Sequence, residues 1–157
     1  MNLILWRHAQ AEEKAESDLA RLLTAKGHHQ AEQAAGWLTE HLSEEHSVWV
    51  SEAARSQQTA AHFSRDYTIM SALNPESSAE MPLQLIAEAN EDSTIIIVGH
   101  QPWIGDLCAY LLNQHWNSET WAIKKGSFWW FKIEQNKHSF QATLKASLPP
   151  SLIETKL

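Results

Sequence analysis

Four residues of this chain could act together on one anion: the adjacent pair Arg7 and His8, then Arg55, then His100. A guanidinium meets a phosphoryl group through two parallel hydrogen bonds, and a neutral imidazole is a nucleophile towards phosphorus. Two of each around one pocket would bind a dianionic phosphoryl group and offer a nitrogen to attack it. Displacement at phosphorus is mostly positioning and electrostatic stabilisation, so such a set requires no metal and no other cofactor. Each piece alone says little. An arginine at a helix start is usually solvated or ion-paired, and a histidine after an apolar run is often structural. The signal lies in the combination and its order.

The elements that must position these groups read as strands and helices in alternation. His8 follows the run Asn2–Trp6 and His100 follows Thr94–Val98. Short apolar, β-branched runs are buried parallel strands, and the ligands of an open α/β sheet lie at the carboxyl ends of its strands. A third strand over 46–51 leads into a helix from Ser51 to about Phe63. With Ser51 as its cap and Glu52 in its first turn, that helix carries Arg55 near its start, where free N–H groups add to anion binding.

The other segments complete the pattern. A long polar connection over 9–23 precedes a helix over 24–42, capped by Thr24, with Ala31, Ala34, Leu38 and Leu42 on one face. An edge strand over 67–73, a loop over 74–80, a short helix over 82–90 and a helix over 102–113 follow in turn. Two antiparallel strands, 127–134 and 140–146, close the chain around a polar turn at 135–139, and Pro149-Pro150 is expected to end the ordered part. The architecture expected is a three-layer α/β/α sandwich, a mostly parallel sheet with an antiparallel strand, as one domain over residues 1–157.

Composition narrows the function classes. The net charge of −7 and the absence of any basic block argue against a nucleic-acid binder. No uncharged run approaches the roughly 18 residues that span a bilayer, and no membrane partner is expected. The N-terminus opens on a strand, without the features of a signal peptide. A single cysteine, Cys108, allows no internal disulfide and suits a reducing compartment. The expected setting is cytoplasmic. Cys108 reads as core, Trp129 and Trp130 as strand neighbours facing opposite ways, and the seven other histidines as surface or structural, without metal spacing. The acidic stretch Glu12–Asp18 reads as a solvated face or a contact for a basic rim on a partner.

The motifs R-H-A at 7–9, S-E-A-A-R at 51–55 with Gln58-Thr59 following, and V-G-H at 98–100 together resemble the histidine phosphatase superfamily, with its phosphoglycerate mutase-like fold. The short chain and the segment S-D-L-A-R-L-L-T-A-K-G at 17–27 resemble its SixA branch of phosphohistidine phosphatases. The resemblance spans residues 2–115 and is weaker over the closing strands. It implies that His8 is a nucleophile that becomes transiently phosphorylated. Arg7 and Arg55 would hold the phosphoryl oxygens, His100 would stabilise the transferring charge, and Arg21 would reach phosphate or substrate. The implied partner is a histidine-phosphorylated protein, a phosphotransfer or phosphorelay domain, which places the chain in signal transduction. Two positions depart from the pattern: Ala9 replaces glycine and Glu52 replaces proline. Alanine is still small, and glutamate suits a helix start.

Ester-cleaving members of that superfamily carry a carboxylate general acid in a helical insertion between the second arginine and the second histidine. Here those residues, Arg55 and His100, are 45 positions apart (100 − 55), too close for a cap domain. Glu80, Glu88 and Glu91 lie between them in no matching motif. An alkoxide leaving group, with a conjugate acid near pKa ~15, needs a proton donor; an imidazole, near ~6.5, does not. A general acid contributes about 10²–10⁴ in rate. This favours a protein phosphohistidine as substrate, dephosphorylated through phospho-His8. Two alternatives stay open: a small-molecule phosphomonoesterase whose acid lies elsewhere, and a non-catalytic phosphate-binding regulatory module. The presence of all four residues argues against the second.

Overall fold

The computed structural model describes residues 1–43, 45–116, 120–136 and 139–153. Its six strands are β1 (Asn2–Arg7), β2 (Ser47–Val50), β3 (Thr68–Ile69), β4 (Thr94–Gly99), β5 (Phe128–Asn136) and β6 (Ser139–Leu148). Four helices connect them: α1 (Ala25–His41), α2 (Ala54–Ala61), α3 (Glu80–Ala87) and α4 (Trp103–Asn113). They form one sheet in the order β3-β2-β4-β1-β5-β6. The first four strands run parallel, β5 is antiparallel to β1, and β6 is antiparallel to β5. This is a mostly parallel α/β sheet with antiparallel closing strands, with no cap domain among the described residues.

Alternation along the strands builds the two outer layers. Ile4, Trp6, Ile96 and Val98 face α1 and α2, meeting Ala31, Ala34, Leu38 and Ala60. Leu3, Leu5, Ile95 and Ile97 face the other way, onto Ile86 of α3 and Ile104, Leu107 and Leu111 of α4. Every residue of β4 is buried, as a central strand covered on both faces demands. Trp129 packs on the α3/α4 side and Trp130 on the α1/α2 side. Cys108 lies in the α4 core, where burial pushes its thiol well above the usual range.

Helix α1 begins as its sequence indicates, with the Thr24 hydroxyl accepting from Gly27 N–H at 2.9 Å. Helix α2 does not. It starts at Ala54, with Ala53 at its cap position, two residues beyond the expected Ser51, and no acidic residue in its first turn. The Ser51 hydroxyl accepts from Ala53 N–H ahead of the helix, and the Glu52 carboxylate accepts from Asn74 Nδ2 at 2.9 Å. The expected edge strand shrinks to Thr68–Ile69 and a 3₁₀ turn at Ser71–Leu73. Nor does order stop at Pro149-Pro150. A 3₁₀ turn over Pro150–Leu152 packs on α1, with Pro150 buried and Ile153 O accepting from Gln33 Nε2. Part of the polar turn at 135–139 lies outside the described residues.

Candidate active site

Strand register brings three chain segments to one edge. Arg7 of β1 pairs with Gly99 of β4, and Val50 of β2 pairs with Val98. The residues that follow, His8, His100 and Ser51, therefore leave the sheet side by side. His8 N–H donates to Gly99 O at 3.0 Å. The two imidazoles lie with ring centroids 5.0 Å apart, inclined by 50°. Both are buried, His8 at 7% exposure and His100 at 2%.

His8 has one ring nitrogen committed. Its Nδ1 lies 2.7 Å from Ala9 O, and a carbonyl only accepts, so Nδ1 carries the proton and Nε2 keeps its lone pair. Burial lowers the pKa to about 3, with Arg55, Arg7 and Lys125 adding repulsion against the opposing bond to Ala9. His8 is neutral near pH 7.

His100 is held the opposite way round. Its Nε2 lies 2.7 Å from Ser51 Oγ and 3.2 Å from Ser56 Oγ. Ser51 Oγ also accepts from Ala53 N–H at 3.2 Å. The other ring nitrogen, Nδ1, is buried with no protein partner. Burial, then His8 and Arg55, lower this pKa to about 2. An unmet buried polar group costs about 1–3 kcal/mol, and such a group in a native fold points to a ligand.

The guanidiniums complete the setting. Arg55, in the first turn of α2, donates from Nη1 to Asp18 O at 2.7 Å and from Nη2 to Asp18 Oδ2 at 3.0 Å. Arg7 donates from Nη1 to Ile123 O at 2.6 Å. The Nε–H of each arginine is buried without a partner. Arg21 meets Asp18 Oδ1 at 3.0 Å and Glu12 O at 2.6 Å, so it connects to Arg55 through Asp18. Burial opposes ionisation of Asp18, but the hydrogen bonds from Arg55 and Arg21 outweigh it and hold the carboxyl below its usual range.

Backbone clamps keep the strand end in place. Gly126 N–H is shared between Arg7 O and His8 O, both at 3.1 Å, and Gly126 O accepts from Trp6 Nε1. Its φ of +78° and the proximity of Pro150 leave no room for a side chain. Thr59 Oγ1 accepts from Ala9 N–H at 3.0 Å and donates to Arg55 O at 2.7 Å, joining both halves of the site.

Sequence reasoning brought Arg7, His8, Arg55 and His100 to this edge but missed three contributors. Ser51 was read as a helix cap, and Asp18 as part of a solvated acidic face. Gly126 drew no notice, because nothing local marks a loop that crosses back over strand β1. Glu80, Glu88 and Glu91 are exposed. Among the described residues no group of three or more potential ligands could hold a metal ion.

Residues 3–76 match the model of the histidine phosphatase superfamily, branch 1. Over that span the chain is similar to the histidine phosphatase superfamily. It is 29% identical over 126 residues to the phosphohistidine phosphatase SixA homolog of Haemophilus influenzae, covering 71% of this chain and 77% of the relative. A SixA-type structure from Nakamurella multipartitia superposes with a TM-score of 0.77 at 26% identity, covering 94% of this chain and 95% of that one. The protein histidine phosphatase SixA complexed with tungstate gives 0.79 at 23% identity, covering 96% and 98%. The chain is thus a phosphatase with a SixA-like fold. No helix among its described residues is long and apolar enough to cross a membrane.

Proposed function

We propose that this phosphatase removes phosphate from a histidine-phosphorylated protein through a phospho-His8 intermediate. The observation that carries the reading is the pair of neutral imidazoles 5.0 Å apart, one bonded so that its Nε2 is free to attack. Attack by the Nε2 lone pair forms the new N–P bond. The bond from phosphorus to the substrate imidazole breaks, and its electron pair leaves on that ring nitrogen. A substrate ring that holds a proton on its other nitrogen departs as neutral imidazole. His8 becomes a phospho-imidazolium, whose Nδ1–H remains on Ala9 O. Water then attacks phosphorus, releases inorganic phosphate and restores His8.

Arg7 and Arg55 would bind the non-bridging oxygens, using their unpartnered Nε–H groups. His100 would donate Nδ1–H to the transferring group, a hydrogen bond that strengthens as negative charge accumulates. Arg21 would act through Asp18 on Arg55. These groups supply the positive charge and orientation the displacement needs, so the reaction is read as metal-independent. Between Arg55 and His100 the chain forms α2, β3, α3 and β4, an interval with no room for a cap that would bar a protein surface from the site. The reading extends to one domain over 1–157 acting in cytoplasmic phosphotransfer signalling.

The test compares a phosphorylated histidine-containing domain with simple alkyl phosphate esters. The expected result is faster turnover of the phosphodomain, with an acid-labile, base-stable phosphoryl label on the enzyme. His8→Ala should abolish both label and turnover. Faster turnover of esters would support the phosphomonoesterase reading, and phosphate binding without label the regulatory one. Either would overturn this proposal.

A further inference from the structure

A cleft of about 510 Å³ opens beside Arg7, between the start of α1 and the loop that precedes β5. Its size falls within the roughly 300–1,000 Å³ of typical ligand clefts. Arg7, Lys26, His29, Lys124 and Lys125 line it, with Gln10 among the polar neighbours. The chain holds 19 acidic residues against 12 lysines and arginines. Yet four of those 12 line this cleft, and no carboxylate does. None of the three lysines pairs with a described carboxylate.

Two placements show that the charge is not incidental. Lys26 sits in the first turn of α1, which contains no acidic residue. The helix dipole disfavours a cation there and favours an anion. Lys124 and Lys125 belong to the loop whose Ile123 and Gly126 hold Arg7. Whatever binds these lysines therefore lies against the segment that orients the phosphate-side arginine.

We propose that this cleft is a second anion subsite, which receives an acidic stretch of the phosphoprotein beside its phosphohistidine. It rests on the functional reading above. The cleft runs from Arg7 past Gln33 of α1 to Ser151, farther than a phosphoryl group reaches. Its lysines are exposed, as suits an extended chain docking from solution. Exposed complementary charges chiefly speed encounter and select partners, so the subsite acts on KM and on salt dependence more than on kcat.

The experiment uses the full chain and the double variant Lys26→Glu/Lys124→Glu, with three probes. Hexaglutamate binding, followed by tryptophan fluorescence at low salt, should weaken at least 10-fold in the variant. KM for a phosphorylated histidine-containing domain should rise at least 10-fold, and its increase with added salt should flatten. Phosphoramidate, which carries no flanking chain, should turn over within about twofold of the parent rate. Unchanged hexaglutamate binding, or an unchanged KM for the phosphodomain, would overturn the subsite. Intact hexaglutamate discrimination in an enzyme that leaves the phosphodomain untouched would instead sink the substrate assignment alone. A parent enzyme that prefers a small bis-anionic ester to any acidic peptide would reassign the cleft to a small molecule and reject the peptide.

Discussion

Lowering the pH from 8 to 5 should destabilise this protein through its two pocket histidines, by an amount the structure sets. In the unfolded chain each ring titrates near 6.5. In the fold, burial holds His8 at about 3 and His100 at about 2. Between those limits the unfolded state binds protons that the native state refuses, so acid favours unfolding. At pH 5 an unfolded-state imidazole is about 30-fold more protonated than neutral, while both native rings remain neutral. The loss is about 2 kcal/mol for each ring and about 4 kcal/mol for the pair. The folded values enter little, because both lie far below pH 5.

Urea unfolding read by tryptophan fluorescence measures this directly, since Trp6 and Trp103 are fully buried. His8→Ala and His100→Ala should each reduce the drop by about 2 kcal/mol, and the double variant by about 4 kcal/mol. His62, whose pKa burial and His28 lower, contributes equally to every variant and cancels in the comparison. A double variant with the parent's full pH dependence would refute the assignment of two buried neutral imidazoles. The same values predict that protonation of His8 leaves kcat/KM of the free enzyme unaffected down to pH 5.

Two further outcomes follow from single contacts. Asp18→Ala removes the carboxylate that orients Arg55 and links it to Arg21; with a charged hydrogen bond worth about 1.5–3 kcal/mol, kcat/KM should fall roughly 10- to 100-fold, and Asp18→Asn should recover part of it in steady-state assays. In α1, a Cβ on Gly36 would meet nothing within 4 Å, whereas one on Gly27 would approach Gln10 O at 1.9 Å. Gly36→Ala should therefore stabilise by about 0.5–1 kcal/mol, and Gly27→Ala should destabilise despite the same gain in helix propensity, both read from urea midpoints.

How much was legible in the chain depended on how local the cause was. Apolar runs ending at His8 and His100 announce buried strands, and Thr24 announces a helix start, because neighbouring residues decide each of these. The parallel sheet follows, and so does the edge on which Arg7, His8, Arg55 and His100 leave it. The partners of those side chains are another matter. Ser51 has the composition of a cap, and its hydroxyl does accept from Ala53 N–H, but it also meets His100, 49 residues away, a partner that no local pattern announces. Asp18 sits in an acidic, exposed stretch that reads as solvated. Only the path of the loop sets it on the guanidinium of Arg55.

The closing segment shows the same division. Pro149-Pro150 has every local mark of a terminus, yet the following turn packs on α1 because that helix leaves a face uncovered. Gly126 looks ordinary in sequence and becomes irreplaceable where its backbone bridges Arg7 and His8. Residue order alone determined which groups could do the chemistry and which strands would deliver them. Tertiary structure decided the His8 tautomer, the depressed imidazole pKa values and the Asp18 link. Those depend on burial and on hydrogen bonds between segments far apart in the chain, which no local pattern encodes.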